Sequence, residues 1–174
     1  VLVEKVFLLE LAEGNMPKAE EFATQVLAFN SQQRMARIVL GIRDFRAGHY
    51  AAARKHFEQS AYTPVGELTS WLLAAWSYAG ERDLTEALKT LDRLDSNESF
   101  TNFKTFHAAL IADDLGNAIR AEASYKKAYQ EAGPSLRIVQ AYGNFLERNG
   151  RAAEAQKIYE SYLANDDNPL VAAA

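Results

Sequence analysis

The chain has 174 residues, 48% hydrophobic and 24% charged, enough apolar material for the packed core of one ordinary domain and too much for wholesale disorder. Nineteen basic against 23 acidic side chains leave a net charge of −4, so the basic footprint of a phosphate-backbone binder is missing. The absence of cysteine excludes disulfides, thiolate metal sites and cysteine nucleophiles, and no apolar run approaches the roughly 18 residues of a membrane span.

The order of the residues repeats. Alanines stand at Ala19, Ala53, Ala87, Ala121 and Ala155, at one constant interval with no slip. Gly14, Gly48, Gly116 and Gly150 each precede one of them by five residues. At +4 from the alanines come Ala23, Phe57, Leu91, Tyr125 and Tyr159, and at +7 Val26, Ser60, Leu94, Ala128 and Tyr162. Twelve residues ahead of them lie Phe7, Gly41, Ala75, Ala109 and Gly143, small in four of five. Offsets of four and seven share one helical face, and a small residue there lets a neighbouring helix come close. A glycine five residues earlier ends the preceding helix, where a left-handed residue costs least. Each unit is therefore predicted to be two helices joined by a short turn.

In chain order, the first unit (1–33) turns at Glu13-Gly14-Asn15, and Pro17 sits in the first turn of the next helix, where its missing N–H does no harm. The second unit (34–67) turns at Ala47-Gly48-His49. In the third (68–101) the glycine is displaced to Gly80, Glu81-Arg82-Asp83 forms the turn, and Asp83 or Thr85 is the expected N-cap, with Asp83 and Glu86 favouring the helix start. The fourth (102–135) turns at Leu115-Gly116-Asn117 and the fifth (136–169) at Asn149-Gly150-Arg151. Residues 170–174 read as the start of a further helix, and Val1 falls inside the first one. Neither end carries an obvious polar cap, so the chain reads as an excerpt of a longer solenoid.

With these residues the sequence resembles the tetratricopeptide repeat, a helix–turn–helix unit with the same period and a W…LG…Y…A…F…P signature. Trp71, Ala75, Tyr78 and Ala87 match its W, G/A, Y and A positions. Gly41, Ala53 and Phe57 do so in the second unit, and Gly143, Ala155 and Tyr159 in the fifth. Ala23 departs from the large aromatic of that pattern, and the unit-end proline occurs only displaced, as Pro64, Pro134 and Pro169. The longer, basic pentatricopeptide type and the more variable Sel1 type fit less well. The resemblance implies an all-α, right-handed superhelix of about five units, with first helices on the concave side.

On that concave side the first helices carry an apolar stripe. Met35, Ile38, Ile42 and Phe45 form it in the second unit, Leu72 and Trp76 in the third, and Phe103, Phe106 and Leu110 in the fourth. The fifth unit turns polar and partly basic, with Arg137, Gln140, Asn144, Glu147 and Arg148. These helices are apolar on two sides, more than one packing face requires. The expectation is a groove for a protein or peptide with apolar anchors, with Trp76, Phe103 and Phe106 as its centre. Burial in the core, or covering by a missing segment or a second copy, would account for the same stripe. Where relatives clamp a terminal carboxylate, this chain has Glu4, Leu8 and Ile42, so that clamp is absent.

No catalytic, cofactor or metal site is expected. His49, His56 and His107 fall into no ligand spacing, and the offsets from His107 to Asp113 and Asp114 span nearly two helical turns. Asp113 and Asp114 read as a solvated helix end. The expected role is a non-catalytic scaffold that binds protein, with no nucleic acid and no membrane insertion. The alternatives are the repeat arm of a larger enzyme or of an envelope or secretion assembly, and self-association through the groove or the ends. Thirty alanines and more arginine (11) than lysine (8) have a bacterial cast that does not separate cytoplasm from periplasm.

Overall fold

The computed structural model describes residues 2–131 and 135–164, apart from the side chains of 64 and 65. Among them are ten α-helices and no strand. They are α1 (Leu2–Ala12), α2 (Met16–Phe29), α3 (Arg34–Arg46), α4 (Tyr50–Glu58), α5 (Pro64–Gly80), α6 (Leu84–Leu91), α7 (Thr101–Asp114), α8 (Ala118–Glu131), α9 (Leu136–Arg148) and α10 (Ala152–Leu163). Short 3-10 turns at Asp92–Ser96 and Glu98–Phe100 separate α6 from α7. The chain divides into two compact units, residues 1–98 and 99–174. In the first, α1 packs on α2, α3 on α4 and α5 on α6, and each pair packs on the next. In the second, α7 packs on α8 and α9 on α10, and both α7 and α8 meet α9.

The periodic residues are the packing frame. Ala19, Ala53, Ala87, Ala121 and Ala155 are all fully buried. The position twelve before the alanine meets the position four after it. A methyl group on Gly41 would run into the Phe57 ring, and one on Gly143 into the Tyr159 ring and hydroxyl. The first repeat reverses the sizes: Phe7 is large, Ala23 is small, and both are fully buried in one cluster with Val26 and Val39. The departure at Ala23 is thus a swap of volume between two helices, which a close-packed interior tolerates. At the +7 position of the second repeat, the Ser60 hydroxyl is fully buried with that of Ser70 on α5, and the two hydrogen-bond to each other at 2.6 Å. Ser60 also donates to the Phe57 carbonyl, so neither hydroxyl is left without a partner.

The turns follow one hydrogen-bond pattern. Gly14, Gly48, Gly116 and Gly150 have φ between +75° and +78°. The residue after each donates its N–H back across the turn, for example His49 to the Asp44 carbonyl at 2.8 Å. The third repeat corrects the sequence reading. Its left-handed position is not displaced but filled by Arg82, one full repeat after Gly48, with φ +61°, and Asp83 donates to the Tyr78 carbonyl in the same way. Gly80 serves packing instead, since it lies in α5 where the Tyr50 ring leaves no room for a Cβ. Asp83 is the N-cap of α6, accepting from the Glu86 N–H at 3.0 Å. Thr63 caps α5 by accepting from the Gly66 N–H, so α5 begins at Pro64, ahead of the register of the repeat. Pro64 therefore opens a repeat rather than closing one. Pro134, Pro169 and residues 170–174 lie outside the described residues.

Candidate interaction site

The residues of the proposed stripe have different fates. In the first unit Ile38 is 8% exposed and belongs to the core, while Met35 lies at the surface. Ile42 and Phe45 are half-buried against the cluster of Ala53, Phe57 and Ala74. The period of three and four residues is the same for a groove face and for a face covered by the next helix, and here α4 and α5 take part of it. Leu72 and Trp76 on α5 are half-buried.

In the second unit Phe103, Phe106 and Leu110 lie along α7, and Arg137, Asn144 and Arg148 along α9. Phe103 is 49% exposed; Phe106 and Leu110 are half-buried. Arg137, Asn144 and Arg148 are exposed. Between the starts of the two helices is a groove of about 300 Å³, lined by Asn102, Phe103, Phe106, Ser135, Arg137 and Ile138. It unites Phe103, Phe106 and Arg137; Phe103 and Arg137 occupy the same position of successive repeats. Ile138, 5% exposed, supplies the floor. Ser135 is the N-cap residue of α9, although its hydroxyl makes no capping bond. Sequence periodicity did not single out Asn102, Ser135 or Ile138, because their place depends on where each helix starts rather than on which face repeats.

Toward the ends of α7 and α9 the second unit holds an aromatic and ionic network. The Tyr125 ring stacks on Tyr142 with centroids 5.7 Å apart and tilts against Phe145 at 5.3 Å. Its hydroxyl donates to Asp113 Oδ2 at 3.0 Å, and the Arg148 guanidinium reaches the same oxygen at 2.6 Å. Asp113 is therefore not a solvated helix end, and Arg148 is held by a carboxylate of its own chain. Burial, then the Asp113 charge and hydrogen bond, push the Tyr125 hydroxyl well above its ordinary range, with Arg148 opposing. His107 is half-buried on α7 beside Phe106, ring centroids 6.1 Å apart, and burial lowers its pKa. In the first unit burial likewise lowers His56; Asp44, 3.7 Å away, pulls it up, and Arg37, Arg43 and Lys55 push it down. Among the described residues no group of His, Asp and Glu side chains could hold a metal ion. No described helix is long and apolar enough to cross a membrane.

Neither a protein-family model nor a curated protein sequence matches the chain. Solved structures do. Residues 41 to the end of MamA from Desulfovibrio magneticus RS-1 superpose with a TM-score of 0.68 and 13% identity, over 92% of this chain and 90% of that one. A tetratricopeptide repeat protein from Parabacteroides merdae ATCC 43184 gives a TM-score of 0.73 and 12% identity, over 92% of this chain and 62% of that one. The fold is that of tetratricopeptide-repeat proteins. YrrB, described as a TPR protein with an unusual peptide-binding site, also shares it, with a TM-score of 0.60 and 12% identity over 99% of this chain and 89% of that one. Identities this low carry the tetratricopeptide helix pairing and its packing frame, not the groove residues.

Proposed function

We propose that the chain is a non-catalytic scaffold that binds a protein through a peptide segment, with Phe103 and Phe106 as apolar anchors of the groove between α7 and α9. The observation that carries this reading is the half-exposed Phe103 ring at the mouth of a groove of about 300 Å³. Large apolar side chains are held out in water at a cost, and clustered around a concavity they mark binding surfaces. The shared fold with YrrB, whose site is said to bind peptide, supports it. Leu110, Asn144 and the more exposed parts of Leu72 and Trp76 are secondary candidates; Ile38, Ile42 and Phe45 belong chiefly to packing.

The test is capture of partners from an extract of the source organism on the immobilised chain and on its Phe103→Asp variant. Phe103 is exposed enough that the variant keeps its helical circular dichroism. A protein held by the native chain and lost by the variant supports the reading; equal capture by both overturns it. Self-association is a second reading, favoured by the exposed leucines of α1, where Leu2 is 75%, Leu9 57% and Leu8 44% exposed. Light scattering over a hundredfold range of concentration tests it, and a constant monomer mass removes it.

A further inference from the structure

We infer that the α7–α9 groove selects a peptide in which an apolar side chain stands beside an internal Asp or Glu, an inference that rests on the protein-binding reading above. The floor, made by Ile138 and Phe106, offers nothing to a charged or strongly polar group, which would lose its water without compensation. An apolar side chain fits there. The volume of about 300 Å³ lies at the lower end of ligand pockets, room for one anchor rather than a long apolar stretch.

The lip differs. The Arg137 guanidinium is exposed there and makes no ion pair among the described residues. Three other arginines of this chain are paired internally, Arg54 with Glu81 at 2.9 Å, Arg148 with Asp113 at 2.6 Å and Arg151 with Glu122 at 2.8 Å. Arg46, Arg82 and Arg120 share with Arg137 the lack of an ion pair among the described residues but do not line the groove. Arg137 is the cation that lines the groove, and its planar fork matches a single carboxylate through two parallel hydrogen bonds. A basic partner is repelled, and a neutral acceptor gains only a weaker hydrogen bond than the paired, charge-assisted bonds to a carboxylate. A chain-terminal carboxylate is generally captured by several convergent donors; one arginine at an edge suits a side-chain carboxylate on a peptide that runs on past the lip.

The experiment is selection of random dodecapeptides displayed on phage against the whole chain. Enriched peptides are resynthesised with amidated C-termini and a fluorescent label and measured by anisotropy. Enrichment of Phe, Leu, Ile or Met within two residues of Asp or Glu is expected. Arg137→Gln should weaken the amidated peptide about tenfold, and Glu→Gln in the peptide should cost as much. The two changes together should cost little more than either alone, as a direct pair requires. Peptides that bind but lack acidic residues, or that bind Arg137→Gln undiminished, overturn the inference and leave the scaffold reading standing. Acidic peptides that bind only with a free C-terminus overturn the internal carboxylate. If no peptide is enriched, or the groove is covered by a second copy of the chain in a dimer that Phe103→Asp dissociates, both readings fall.

Discussion

Arg82 shows what the periodic glycine is for. At Gly14, Gly48, Gly116 and Gly150 an added Cβ would meet nothing within 4 Å, so the demand is on the backbone and not on space. Arg82 meets the same demand, with φ +61° and a side chain, at a cost of about 1 kcal/mol. Arg82→Gly should therefore stabilise the chain by roughly 0.5–1 kcal/mol, read as a higher urea midpoint at unchanged slope. Arg82→Val, branched at Cβ, should lose stability by a similar amount or more. This position was not legible in the sequence because the only nearby glycine, Gly80, is there for a different reason, the approach of the Tyr50 ring.

Among the elements, the helix pairs were the most legible part of the chain. The alanines announce them because each is fully buried, and a larger residue at any one would have to displace a neighbour. The apolar stripe was legible as a stripe, not as a surface: Ile38 and Phe103 look alike in sequence and differ in whether another helix covers them. Charge roles were less legible still, since Asp113 and Arg148 meet only when α7 and α9 lie side by side. That contact yields a prediction. The folded chain holds the Tyr125 hydroxyl protonated above its ordinary pKa of 10.0. Its contribution to stability is present in full below pH 10 and is lost as pH rises from there. Tyr125→Phe should lose about 1–2 kcal/mol at neutral pH from the broken hydrogen bond to a charged acceptor, and should flatten the alkaline fall in the urea midpoint above pH 10.

At the scale of the molecule, acid should act on both compact units. Each carries one half-buried histidine whose pKa burial lowers from 6.5, His56 in the first and His107 in the second. The folded state prefers both neutral while the unfolded chain takes up protons first. Their contribution is present in full above pH 6.5 and is lost as pH falls through the lowered values. The urea midpoint should decline between pH 7.5 and 5.5. Replacing both with glutamine should remove most of that slope, whereas a double variant as pH-sensitive as the native chain would assign the slope to other groups.

The buried alanines also bear on how much the chain can vary. Five alanines at zero exposure, one to each repeat, are points where nearly any change is punished. The lip of the α7–α9 groove, at Phe103 and Arg137, is where change costs the fold little. A saturation library scored for folding should then show tolerance that rises and falls along the chain with the repeat, its troughs at Ala19, Ala53, Ala87, Ala121 and Ala155. The same library scored for binding should keep those troughs and add new ones at Phe103 and Arg137, where folding alone shows none. Heritable variation in specificity can thus accumulate on a scaffold whose own sequence is held still.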